Sequence, residues 1–187
     1  VGESGCGKST IAGLLSGKNR GFFGKIQIGG IPVEDVDEVD LMEHVVLVRH
    51  NSYLFAGTVE ENLRMAKPDA TTEEMEAVLE KVHLLGFLQT QDGLSTKLSE
   101  KADNLSGGQC QRLAIARALL KNAQVYIFDE ASSNVDVESE EAIMEVIHEL
   151  AQTKTVLLIS QRISSILHAD QILVLDDGRL AGIGTHE

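Results

Sequence analysis

Gly2-Glu3-Ser4-Gly5-Cys6-Gly7-Lys8-Ser9 has the form G-x-x-x-x-G-K-S, and its reading sets the fold. Glycines tolerate the turned conformations that let successive backbone N–H groups point inward at phosphate oxygens. A helix beginning at Lys8 adds the positive end of its dipole. That helix reads from Lys8 to Ser16 and stops at Gly17, a residue suited to a left-handed cap. In this arrangement Lys8 reaches the β and γ phosphates of a nucleotide as a point charge, and the Ser9 hydroxyl ligates Mg²⁺. Glu3, Ser4, Cys6 and Thr10 complete the loop, with Cys6 filling a permissive position. A glycine-rich turn before a helix also arises by chance; the motifs downstream select the phosphate reading.

The first of these is Val125-Tyr126-Ile127-Phe128-Asp129-Glu130, an apolar strand closed by two acids. A parallel sheet places its chemistry at such strand ends. Asp129 is expected to hold Mg²⁺ through a water, and Glu130 to polarise an attacking water. Tyr126, inside the strand, is expected to pack.

Working outward, Lys25–Ile28 reads as a short strand closed by Gly29-Gly30, Asp37–His44 as a helix and Val45–Arg49 as a β-branched strand. Thr71 and Glu74 form a capping-box pattern ahead of Met75, Val78, Leu79 and Val82, which recur at helical spacing. Glu138–Gln152 carries Ile143, Val146, Ile147 and Leu150 on one helical face, its acids solvated on the other. Thr155–Ser160 reads as a buried strand, and Ile172–Leu175 with Leu180–Ile183 as a hairpin around Asp177-Gly178. Alternating strands and helices imply a parallel sheet. The expected fold is an α/β phosphate-loop core formed by residues 1–54 and 120–187, with a helical lobe inserted at 55–119. Such loops ordinarily follow a complete strand, and Val1 stands directly before this one with no initiator Met. The expectation is therefore a fragment whose N-terminal strands are missing.

Composition bounds the function. The 187 residues include 16 basic and 29 acidic ones, for a net charge of −13, which gives a nucleic-acid backbone no surface to track. Two cysteines, Cys6 and Cys110, form no disulfide framework and fit a reducing compartment. The six histidines show no paired ligand spacing. No apolar run approaches the roughly 20 residues that span a bilayer.

Leu105-Ser106-Gly107-Gly108-Gln109 precedes Cys110-Gln111-Arg112 and a helix. A serine and two glycines opening a helix make a second anion site. Together with the phosphate loop and the acidic strand, this resembles the ATPase domain of the ABC transporter superfamily over nearly the whole chain. The resemblance implies that Leu105, Ser106, Gly107, Gly108 and Gln109 grip the γ phosphate of ATP held by a second ATPase domain, identical or homologous. Two nucleotides are then sandwiched in a head-to-tail dimer. Ser133-x-x-Asp136 resembles the loop that touches across this dimer, and Gly184-Thr185-His186-Glu187 matches the end of the domain. Leu54-Phe55-x-Gly57-Thr58-Val59-x-x-Asn62 resembles exporter-type members whose ATPase is fused to transmembrane domains on the same polypeptide. The implied setting is the cytoplasmic face of the cell membrane. The Tyr53-Leu54-Phe55 patch suits either contact with those domains or core packing.

Two positions depart from the family pattern. His50 stands where the family usually has Gln near the metal and attacking water, and Gln161 stands where it usually has a His that contacts the γ phosphate. His50 can offer a nitrogen to metal or water, and the Gln161 amide can donate but cannot become cationic. Two readings follow: an ATPase slowed at this site, or a degenerate half that holds ATP while its partner turns over. Ser99-Glu100-Lys101-Ala102 also departs from the glycine-flanked Glu-Arg of exporters, retaining Glu100.

Overall fold

The computed structural model describes residues 1–186; Glu187, the last residue of the terminal motif, and the Ile163 side chain lie outside the description. The chain folds as two compact units, residues 1–47, 124–130 and 155–187 in one, and 48–123 and 131–154 in the other.

In the first unit the phosphate loop leads into α1 (Lys8–Leu15), which closes on Ser16 and Gly17. Two short strands, β1 (Gln27–Ile28) and β2 (Ile31–Pro32), pair across Gly29-Gly30. Of the anticipated Lys25–Ile28 strand, Gln27 and Ile28 form the paired strand, and Ile26 O accepts from Val33 N at 3.0 Å just beyond it. Helix α2 (Glu38–His44) starts at Asp37, whose carboxylate accepts from Val39 N at 2.8 Å, and runs into β3 (Val45–Arg49).

Helix α3 (Val59–Arg64) follows β4 (Gly57–Thr58), and α4 (Thr72–Lys81), α5 (Leu85–Gln89), β5 (Lys97–Leu98) and α6 (Gly107–Leu120) complete the middle of the chain. Next come β6 (Val125–Asp129), α7 (Val137–Ala151) and β7 (Thr155–Ile159), then β8 (Ile172–Asp176) and β9 (Arg179–Gly184). The sheet order is β3-β6-β7, with β6 and β7 parallel from Val125 opposite Thr155 to Asp129 opposite Ile159. The β8–β9 hairpin turns at Asp177-Gly178, both with positive φ (42° and 73°), as a tight right-twisted hairpin requires. Leu175 N donates to Val1 O at 2.9 Å, so the phosphate loop leaves from beside β8.

The core of this unit joins Ala12, Val33, Leu41, Val45, Ile127 and Ile159. It packs α1, α2 and β3 against β6 and β7. Each large aliphatic side chain so buried contributes about 1.5–3 kcal/mol.

The second unit is mainly helical. Helix α6 is buried on nearly every side, through Leu113, Ala114, Ile115, Ala116, Ala118 and Leu120, and packs against α3, α4 and α7. A helix buried on nearly every side belongs at the centre of its unit. The anticipated capping box at Thr71 and Glu74 is present at the start of α4, with Met75 and Leu79 buried below it.

Asn62 is buried, its amide donating to Phe55 O (2.9 Å) and Thr58 O (3.0 Å) and accepting from Phe55 N (2.9 Å). Asn62→Ala leaves these buried backbone groups unpaired, so a loss of about 3 kcal/mol is expected in denaturant unfolding. A midpoint unchanged from the parent would contradict this assignment. Among the described residues no helix is long and apolar enough to cross a membrane.

Candidate functional site

The phosphate loop has the backbone its sequence predicts. Gly5 and Gly7 have φ of 86° and 101°, and Gly7 serves as the N-cap of α1 with no side chain occupying the first-turn amides. A helix start without a side-chain cap leaves N–H groups for an incoming anion. Lys8 is buried at 5% exposure, and its Nζ donates to Gly2 O (2.7 Å) and Glu3 O (2.6 Å) and approaches Cys6 Sγ (3.6 Å). The ammonium therefore pins the loop's own carbonyls, holding charge at a fixed place beneath the amides.

Ser9 Oγ donates to Asp129 Oδ1 at 3.1 Å, although 120 positions separate the two. A hydroxyl and a carboxylate oxygen in contact form a hard-oxygen pair of the kind Mg²⁺ prefers, which it completes with water and phosphate oxygens. The donor set thus fits the cation that the loop implies.

Glu130 follows on the end of β6 with φ of 54°, a left-handed backbone uncommon for a side chain of this size. Its N–H donates to Ile159 O at 3.0 Å, and its Oε1 accepts from Gln161 Nε2 at 2.7 Å. The first unit therefore gathers Lys8, Ser9, Asp129, Glu130 and Gln161 around one end of its sheet.

In the second unit Ser106 caps α6: Gln109 N donates to Ser106 Oγ (3.1 Å) and Ser106 N to Gln109 Oε1 (2.9 Å). This capping box leaves the Gly107 and Gly108 amides at the helix start. Gly108 is also there for a reason the motif does not reveal. A Cβ at this position would lie 2.6 Å from Asp136 Oδ2 and 2.7 Å from Ser139 Cβ. Asp136 caps α7, accepting from Ser139 N and from Ser139 Oγ, both at 2.9 Å.

Gly108→Ala is expected to cost about 1–3 kcal/mol by forcing the two helix starts apart, with Ser139→Gly recovering part of it in thermal unfolding. An unshifted midpoint would contradict the packing. The bond from Ser139 N, followed by that from its hydroxyl, holds the Asp136 carboxyl below its ordinary pKa. The cap is accordingly intact above the ordinary carboxylate range and is lost as pH falls through the lowered value.

His50 lies exposed in the turn after β3. Sequence reading missed the two side chains that hold this stretch. Gln111 Nε2 donates to Arg49 O at 3.0 Å, and Arg117 donates to Tyr53 O at 2.7 Å, both from α6. Beyond them Leu54 is buried, whereas Tyr53 and Phe55 are half exposed and meet edge to face with centroids 4.8 Å apart. Ser133 and Asp136 lie between β6 and α7. Cys110 donates to Ala102 O at 3.4 Å, and burial raises its thiol pKa, so it is not a reactive thiolate.

This geometry, a glycine-rich loop with an uncapped helix start beside a hydroxyl–carboxylate pair at the end of a parallel sheet, defines a phosphate-loop NTPase core of the α/β class. A family model described as ABC transporter matches residues 1–133, and the chain belongs to that family as an ATP-binding domain of the exporter type. An uncharacterized ABC transporter ATP-binding protein of Haemophilus influenzae is 50% identical over 187 residues, all of this chain and 33% of that protein. The ATP-dependent lipid A-core flippase of Vibrio vulnificus is 45% identical over 188 residues, covering 100% of this chain and 32% of the flippase. The solved structure of a bacterial Atm1-family ABC exporter with ATP bound superposes with a TM-score of 0.92 at 36% identity, covering 99% of this chain and 32% of that one. The chain spans about a third of the length of the curated relatives it matches.

Proposed function

We propose that the chain binds Mg-ATP and hydrolyses it to ADP and phosphate, and that within a longer polypeptide bearing transmembrane domains this cycle moves substrate across a membrane. The carrying observation is the contact of Ser9 with Asp129 beside the phosphate loop, at 3.1 Å. It puts a metal-binding pair next to a phosphate cradle. When bound, Mg²⁺ supplies charge neutralisation at the β and γ phosphates.

The chain's own groups do the rest. Amides of Gly2 through Thr10 bind the phosphates, Lys8 supplies a fixed positive charge, and Ser9 and Asp129 hold the metal. Glu130 orients the attacking water and accepts its proton. Leu105 to Gln109 close over the nucleotide of a second ATPase domain, and Ser133 and Asp136 touch that domain. His50 would offer a ring nitrogen to metal or water, and the complex works at the cytoplasmic face of its membrane. The core formed by residues 1–54 and 120–187 carries the first nucleotide surface, and the lobe at 55–119 carries the second.

The test is reconstitution of the full-length polypeptide in vesicles. Mg²⁺-dependent ATP turnover that rises with transport is expected, whereas a folded protein that takes up no nucleotide would overturn the reading. Gln161 favours a second reading, a slow or non-hydrolysing half of a heterodimer, because its neutral amide cannot offer the γ phosphate a cation. If so, Gln161→His raises turnover in the assembled transporter. Equal rates in parent and variant would exclude it.

A further inference from the structure

We infer that the turn of the β8–β9 hairpin is a positioning element for nucleotide: the Gly178 N–H holds the Cys6 carbonyl outward and thereby keeps the Gly7 N–H turned toward the phosphates. The inference rests on the reading of residues 2–10 as the nucleotide cradle. Hairpin and loop come from opposite ends of the chain but belong to the same compact unit. They meet in three places. Leu175 N donates to Val1 O at 2.9 Å. A Cβ on Gly2 would run into Leu175 O, beside the register shift between Val174 and Leu175. At the hairpin tip, Gly178 N donates to Cys6 O at 3.2 Å, and a Cβ on Gly7 would come within 3.9 Å of Gly178 Cα.

The tip is built to make this donation. Asp176 pairs with Arg179, so Asp177 and Gly178 are the two central residues of the turn. A two-residue turn closes with a bond from its fourth residue to its first, which leaves the N–H of the third for use outside the hairpin. The peptide plane then carries the effect across the loop. In a trans peptide C=O and N–H point in opposite directions, and no described peptide bond is cis. Lys8 holds the carbonyls of Gly2 and Glu3 and so orients the N–H groups of Glu3 and Ser4. The hairpin does the same for the next stretch, holding Cys6 O and so orienting the N–H of Gly7. Gly7, with φ of 101° and no Cβ, does little to restrict this peptide by itself. Were the peptide to rotate, a carbonyl oxygen would face the phosphate oxygens in place of a donor.

The experiment uses the full-length polypeptide in vesicles and reads dissociation constants for two fluorescent probes, trinitrophenyl-ATP and trinitrophenyl-adenosine, the second lacking phosphates. Gly178 has φ of 73° and open space where a Cβ would lie, so a side chain there acts through the backbone and not by collision. Gly178→Val, β-branched and averse to positive φ, is expected to weaken trinitrophenyl-ATP about tenfold and to leave trinitrophenyl-adenosine within about twofold. Gly178→Asn, which tolerates the left-handed region, should bind both probes as the parent does. Because Gly178→Val can also disturb folding, a second exchange incorporates glycolic acid at position 178, turning the amide into an ester and removing the N–H alone. The same selective loss of about tenfold is expected. The inference is overturned if both probes weaken together in the ester, if the ester binds trinitrophenyl-ATP unchanged, or if Gly178→Asn loses as much as Gly178→Val. Lys8→Met keeps the two readings apart. If it abolishes trinitrophenyl-ATP binding while the ester does not lower it, the role of the hairpin fails alone; if neither lowers it, the cradle itself lies elsewhere and both readings fall.

Discussion

Lys8→Met in the full-length polypeptide is expected to raise the dissociation constant for Mg-ATP about 10²-fold or more and to remove turnover. Methionine nearly matches the buried lysine in volume, so packing changes little and the loss of charge is isolated. The ammonium sits at 5% exposure with bonds of 2.7 and 2.6 Å to Gly2 and Glu3 carbonyls. Removing it frees two carbonyls that point into the loop and deletes the cation that Lys8 fixes there. Charge-assisted bonds in a shielded site are roughly twice as strong as neutral ones. A hundredfold change corresponds to about 2.7 kcal/mol, within reach of one such group. Equilibrium titration with a fluorescent nucleotide checks this directly, and unaltered binding would mean that the phosphates lie elsewhere.

The second large effect is expected at Glu130. Glu130→Gln keeps the shape of the side chain and still offers Gln161 an oxygen to donate to, so the geometry around φ of 54° is retained. What disappears is the ability to accept a proton. Turnover should fall about 10²–10³-fold while nucleotide affinity stays nearly constant, because general-base assistance of this kind is made only in the transition state. Parallel loss of affinity and rate would instead assign Glu130 to ground-state binding. Read together, the two variants separate the machinery that holds the phosphates from the machinery that breaks the bond.

Much of this site is local in sequence and therefore legible there. The glycine spacing of residues 2–9 dictates a loop whatever surrounds it, and Val45–Arg49 emerges as a strand because three of its five residues, Val45, Val46 and Val48, are β-branched. The caps of α4 and α6 are i to i+3 bonds, so Thr71 with Glu74 shows in the sequence, as does the Ser106 turn. Thr58 with Glu61 carries the same signature and forms a full capping box at the start of α3; the pattern was there to be used. Other features had no local signal. The pairing of Gly57 with Leu98 involves two residues on each side, too few for any periodicity. The crowding at Gly108 depends on where α7 begins, and the tether from Gln161 to Glu130 spans 31 positions. Gln111 and Arg117 look like ordinary polar positions of a helix until their carbonyl partners are seen. Long-range hydrogen bonds follow from packing, and packing is not written in any single window of the chain.

The two donors of α6 that reach the His50 stretch stand six residues apart, about 9 Å along the helix axis. A strip fastened at one point can swivel, whereas one fastened at two takes up the heading of whatever holds it. The segment from Arg49 to Tyr53 is in the second condition. If α6 tilts, the aromatic pair of Tyr53 and Phe55 turns with it, so the direction in which those rings face is a readout of the angle of the helix that begins at Ser106.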